Sequence, residues 1–180
     1  MKSKKILIGI VVVVVLFIIG LIGKNNNEAK MVIKNAEIAI NEGNYEKARE
    51  LLYTVVDGNN KKIDKLWNIV NSYQNAQTAN LEAGLKYLDE IDNSYKKYNK
   101  LKEDVDNLRE ELLSTKKVRE KFKLKIDEVK GLIDKGNYKE AMELSEETSE
   151  WQHIEQKDKN TMYDLHVQAM ELYLSLIHIL

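Results

Sequence analysis

The sequence predicts an all-α protein: an N-terminal transmembrane helix, then antiparallel helix-turn-helix units with one long heptad-patterned helix. Three observations predict it. Ile6 to Gly23 (ILIGIVVVVVLFIIGLIG) is an apolar run without a charged or polar side chain. Beyond it, apolar residues recur at helical spacing, and no alternating β-branched stretch signals a strand. The chain holds no proline, so no helix is interrupted by a missing N–H.

Residues 1–5 are expected to be a cytoplasmic tail, 6–23 a signal anchor and 24–27 a polar linker. The apolar run is 18 residues long, and at 1.5 Å of rise it spans about 27 Å, close to the hydrocarbon thickness of a bilayer. Val11 to Val15 form helices weakly in water, but in lipid the backbone must bond within its own segment. Lys2, Lys4 and Lys5 favour a cytoplasmic N-terminus, a contrast reduced by Lys24, Lys30 and Lys34 beyond the run. A cleaved signal peptide would need a shorter core and a small-x-small site; the run ends LIGKNNNEAK, with neither that site nor a lipoprotein cysteine. Gly9, Gly20 and Gly23 make no G-x-x-x-G, so anchor dimerisation has no motif behind it.

Composition sets the outer bounds. The formal net charge is -1, and because the three N-terminal lysines supply positive charge, the chain beyond the anchor sums to -4. So near-balanced a charge argues against a nucleic-acid protein. Without cysteine there is no disulfide framework, thiolate nucleophile or Cys metal site. The Lys, Asn and Ile bias matches an AT-rich bacterial genome, so a bacterial envelope is the expected setting.

Residues 28–92 read as short amphipathic helices. The first begins near Glu28, with Met31, Val32, Ile33, Ala36, Ile38, Ala39 and Ile40 on a broad apolar face. Glu42-Gly43-Asn44 ends it: glycine suits the left-handed C′ position, and Asn44 can cap the next helix. That helix spans about Tyr45 to Val56 and turns Ala48, Leu51, Leu52, Val55 and Val56 inward. Asp57-Gly58-Asn59-Asn60 is the clearest turn signal in the chain. A helix from Lys61 to Gln77 places Ile63, Leu66, Trp67, Val70 and Tyr73 on one side. Asn80 caps another, Leu81 to Ile91, whose Gly84 allows close helix approach.

Residues 93–135 are expected to form a long coiled-coil-like helix. Tyr98, Leu101, Val105, Leu108 and Leu112, then Phe122, Ile126, Val129 and Ile133, recur in alternating steps of three and four, with Thr115 and Arg119 in the phases between. The alternative is a hairpin turning at Ser114-Thr115, which would set the acidic block Glu103–Glu111 against the basic block Lys116–Lys125. Ser-Thr is a weak breaker, so the continuous helix is favoured. Residues 136–173 then give a helical unit, Tyr138 to Glu147, a connection at Trp151 and a last helix from Lys159.

Gly43-Asn44-Tyr45-Glu46-Lys47-Ala48 and Gly136-Asn137-Tyr138-Lys139-Glu140-Ala141 nearly copy each other. Each joins two amphipathic helices, and the pattern resembles the turn of a tetratricopeptide repeat: glycine, an aromatic two later, alanine three after that. Trp67, Val70 and Asn71, with Ala83 and Tyr87, fall on family positions in a middle unit. Ala48 to Ala83 is 35 residues and Ala83 to Ala141 is 58, against a family period of about 34. An insertion therefore interrupts the array. No unit has the closing proline, the first lacks the Trp, and the middle one lacks Gly and Tyr at its turn. The resemblance implies a protein-binding groove, whose first-helix positions in the middle unit are Asn68, Ser72 and Asn75.

No residues read as catalytic, cofactor-binding or metal-binding. His153, His166 and His178 lack metal-ligand spacing, and no G-x-S-x-G, G-x-G-x-x-G or phosphate-loop motif occurs. The chain is therefore expected not to be an enzyme and to need no cofactor. The block Lys116 to Lys125 reads as a solvated face, with anionic headgroups or a wall polymer as the functional alternative. Leu174 to Ile179 reads LSLIHI, which one frame of a transposase-end sequencing adapter encodes, so residues 174–180 are expected to be non-native.

Together these readings predict a single-pass membrane protein, N-terminus cytoplasmic and helical domain extracytoplasmic, serving as a protein-interaction scaffold at the bacterial cell envelope. A protein or peptide partner is expected, and nucleic acid is not. The alternative is a structural envelope protein that self-associates through Tyr98–Ile133.

Overall fold

The structure is a computed structural model that describes residues 28–55, 60–146 and 151–179. The tail, anchor and linker expected at 1–5, 6–23 and 24–27, and the turn residues Asp57, Gly58 and Asn59, lie outside the described residues. All regular structure within them is helical, without a strand. Among the described residues no helix is long and apolar enough to cross a membrane.

The order is α1 (residues 28–41), α2 (Tyr45–Tyr53), α3 (Lys61–Thr78), α4 (Leu81–Asp89), a 3-10 turn (Asn93–Lys97), α5 (Asn99–Asp134), α6 (Tyr138–Glu146), a second 3-10 turn (Trp151–His153) and α7 (Gln156–Ile179). The chain divides into two compact units, the first ending at Arg109 and the second beginning at Glu110.

In the first unit each helix turns one stripe inward. α1 buries Ala36, Ala39 and Ile40; α2 buries Tyr45, Ala48 and Leu52. α3 lies against both α2 and α4, and so it buries the broadest stripe: Ile63, Leu66, Ile69, Val70, Tyr73 and Ala76. α4 contributes Leu81, Gly84 and Leu88, and Leu101 and Val105 of α5 are fully buried. Each large aliphatic side chain removed from water in this way stabilises the unit by roughly 2 kcal/mol before entropy is counted.

Asparagine starts these helices. The Asn44 side chain accepts from the Lys47 N–H, that of Asn60 from Lys62 and Ile63, and that of Asn80 from Ala83. Each cap satisfies donors that the first turn leaves unpaired.

The helix that begins at Asn99 starts later than the sequence pattern suggests. The Asp92 carboxylate accepts the Ser94 N–H at 2.9 Å, which winds Asn93–Lys97 into a 3-10 turn, and Tyr98 follows with extended backbone. From Asn99 the helix continues for 36 residues through Ser114 and Thr115, roughly 54 Å. The acidic and basic blocks therefore succeed each other along one helix instead of facing across a hairpin. Lys100 and Lys102 pair with Asp104 and Asp106 one turn on, at 2.8 and 2.9 Å.

The second unit packs Phe122, Ile126, Val129 and Ile133 of α5 with Ala141 of α6, Ile154, and Met162, Leu165 and Ala169 of α7. Trp151 closes one side, its ring edge-on to Phe122 at 6.0 Å. The heptad stripe is thus divided. Tyr98, Leu101 and Val105 are buried in the first unit and the four residues from Phe122 to Ile133 in the second, while Leu108, Leu112, Thr115 and Arg119 between them are half-buried.

Candidate functional site

The two copies of the Gly-Asn-Tyr turn are the most distinctive local structures. Gly43 and Gly136 have φ of 75° and 78°, left-handed values that a side chain resists. In the first turn the Asn44 N–H reaches the Ala39 carbonyl at 2.8 Å and the Gly43 N–H the Ile40 carbonyl at 3.1 Å. In the second, Asn137 reaches Leu132 at 2.9 Å and Gly136 reaches Ile133 at 3.0 Å. Both are Schellman closures of the preceding helix. Four residues beyond each asparagine, Ala48 and Ala141 are fully buried. The sequence copies are therefore also conformational copies.

Around the first turn lies a set of polar contacts between elements. The Tyr45 hydroxyl donates to Asp104, which Lys100 also holds at 2.8 Å. The Tyr45 ring stands edge-on to Tyr73 at 4.9 Å. In a second group the Tyr98 hydroxyl donates to Glu37 at 3.0 Å, and Lys62 and Lys97 pair with the same carboxylate at 3.1 and 3.5 Å.

Burial, reinforced by the neighbouring carboxylates, pushes the Tyr45 and Tyr98 hydroxyls far above the usual tyrosine value. Burial, with the Asp104 charge, pushes Tyr73 up to about 12. Burial also acts to raise the Glu37 carboxyl, but hydrogen bonds from Lys62 and Tyr98 and the charges of Lys62 and Lys97 outweigh it and hold Glu37 below its ordinary value. The same balance holds Asp104 low, through Lys100 and Tyr45. These groups link α1, α2, α3 and α5. None is arranged as an acid-base pair facing a cavity, and among the described residues no cluster of three or more His, Cys, Asp or Glu is placed to hold a metal.

Asn68, Ser72 and Asn75 lie along α3, but not as an open row. Asn68 is exposed, and its side-chain oxygen accepts the Asp92 N–H at 3.3 Å. Ser72, the middle residue, is only 7% exposed. Asn75 is half-buried, with its carbonyl accepting from Ala79. Their neighbour Gln74 carries a buried Oε1 that has no partner among the described residues.

The sequence did not foretell the cross-chain pairs. Tyr45 and Asp104 are 59 residues apart, Tyr98 and Glu37 are 61. One signal was available: Glu37 sits on the apolar stripe between Ala36 and Ile40, where an acid needs a partner. Arg119, in a phase expected to be apolar, has a use as well. Its Nε donates to the His153 carbonyl at 3.0 Å and its Nη1 pairs with Glu155. Arg109 likewise reaches the Leu88 carbonyl at 2.8 Å and Asp89, closing the end of α4.

Ser145 and His166 meet across α6 and α7, Oγ to Nδ1 at 2.8 Å. The serine donates its single proton to the Met142 carbonyl at 2.9 Å, so it accepts from the Nδ1–H tautomer of His166. A serine that has already given its proton to a backbone carbonyl, and is 4% exposed, is a packing contact and not an activated nucleophile.

In the second unit Gly136, Asn137, Tyr138, Lys139, Glu140, Glu143, Tyr173 and, from the 174–180 segment, Leu176 line a shallow pocket of about 550 Å³. No family model, curated protein or solved structure matches the chain.

Proposed function

We propose that the chain is a single-pass membrane protein whose helical repeat domain, resembling a degenerate tetratricopeptide-repeat array, serves as a protein-interaction scaffold at the bacterial cell envelope. The duplicated turn carries this reading. Two segments 93 residues apart share a left-handed glycine, the same pair of closing hydrogen bonds and a buried alanine, a duplication that suits a stacked helix-pair array. Membrane attachment rests on the charge-free run Ile6 to Gly23 and the three lysines before it. The absence of catalytic motifs favours binding over chemistry.

The runner-up is self-association through Tyr98–Ile133. Burial of seven of its nine heptad residues within the two units favours the scaffold, because a coiled-coil partner needs that stripe free.

Topology is tested on spheroplasts of a strain expressing the chain with a C-terminal tag. External protease is expected to remove the tag while the cells are intact. Protection until lysis would place the domain in the cytoplasm and overturn the envelope assignment.

A further inference from the structure

The two copies of the turn differ in what covers them. Over the first lies the start of α5. A methyl group on Gly43 would sit 3.5 Å from Lys100 Cγ, so the lysine stem lies across the glycine. The Lys100 ammonium folds back to Asp104, and Asp104 accepts the Tyr45 hydroxyl. A lysine and an aspartate four residues apart thus clamp the turn, and Tyr45 is buried beneath them. Over the second turn there is no such cover among the described residues. None of them lies within 4 Å of a methyl placed on Gly136. Tyr138 is half-buried, and its hydroxyl has no hydrogen-bond partner among the described residues. The pocket opens there.

We infer that the Gly136-Asn137-Tyr138 turn is a docking site for a partner helix bearing a lysine and, four residues on, a carboxylate. This rests on the reading of the chain as a protein-binding array, and not on the membrane anchor. The backbone shape is that of the clamped copy. The Tyr138 hydroxyl is the donor that the incoming carboxylate accepts, and the glycine leaves room for the lysine stem. Lys139 pairs with Glu143 beside the turn, which leaves Glu140 of the pocket as the acid that favours the lysine end of the partner, while the carboxylate end relies on the Tyr138 hydroxyl.

The clamping segment of this chain supplies the probe. A labelled peptide of residues 95–112 is held helical by a lactam between Lys102 and Asp106, which already pair on the exposed side. It is titrated against the full chain in detergent micelles and followed by fluorescence anisotropy. Saturable binding is expected. It should weaken tenfold or more with Asp104→Ala in the peptide, and likewise with Tyr138→Phe in the protein, since each removes a charge-assisted hydrogen bond. Tyr163→Phe, at an exposed tyrosine of α7, should leave binding unchanged.

Equal binding by the parent and Asp104→Ala peptides would overturn the clamp while leaving a protein-binding array in place. No binding of either peptide would overturn the proposal and remove this unit from the binding surface. A dimer of the chain alone that dissociates on Tyr138→Phe would also overturn it, by giving the pocket to a second copy.

Discussion

Gly43 and Gly136 set the geometry of both turns, and the cost of replacing them can be argued from φ alone. Alanine at either position must adopt a left-handed backbone, at about 1–2 kcal/mol. The space is ordinary in both places: Lys100 Cγ is at van der Waals distance from the methyl at Gly43, and the Gly136 site is open. Chemical denaturation should therefore find similar losses for Gly43→Ala and Gly136→Ala, each smaller with Asn, which tolerates this conformation better. The tyrosines make a second residue-scale prediction. Folding raises Tyr45, Tyr73 and Tyr98, so the stability they contribute is complete below the ordinary tyrosine value of about 10 and is lost as the pH rises beyond it. Tyrosinate absorbance should show these three ionising together with unfolding of the first unit. Glu37 and Asp104 behave in the opposite sense. Their folded values are lowered, so their contribution is complete above about pH 4 and fades as the pH falls through those lowered values. Glu37→Gln should flatten the acid limb of the stability profile.

At the scale of the helices, the small buried residues govern packing. Ala48 and Ala141 are fully buried, and a leucine there overpacks its surroundings. Ala141→Leu should lower stability by about 1–3 kcal/mol, read as a shift in the denaturation midpoint. Gln74 predicts the reverse, because its buried Oε1 has no partner among the described residues. Gln74→Met should raise stability by about 1 kcal/mol. Most of the helices are legible in the sequence because their signals are local. Asn44 and Asn80 announce helix starts, Gly43 and Gly136 helix ends, and the three-four spacing from Leu101 gives the face of α5. The 3-10 turn before α5 is less legible, since Tyr98 keeps the heptad phase although its backbone is extended. The candidate groove at Asn68, Ser72 and Asn75 rests on family positions. Helical spacing places the three on one side of α3, but spacing does not reveal that Ser72 is buried. The clamps from Asp104 to Tyr45 and from Glu37 to Tyr98 join residues far apart in sequence, so local pattern names neither partner, although Glu37 on its apolar stripe signals that it needs one.

At the scale of the whole chain, the account turns on how the apolar stripe of α5 is used. A stripe of three-four spacing serves a neighbouring chain or the chain's own helices, and from sequence the two look alike. Burial of Leu101 and Val105 in one unit and of Phe122, Ile126, Val129 and Ile133 in the other commits it internally. A charged residue at Phe122 should accordingly unfold the second unit and not merely dissociate an oligomer, seen as lost near-ultraviolet dichroism from Trp151, whose ring meets Phe122. The proposed scaffold would then be tethered by Ile6 to Gly23, with the second turn, which α5 does not clamp, available as docking geometry. The mass of the full chain in density-matched detergent, by sedimentation equilibrium over a wide concentration range, tests this use of α5 most directly. The account predicts a monomer throughout. A stable dimer dispersed by unfolding α5 would contradict it, returning the stripe to self-association.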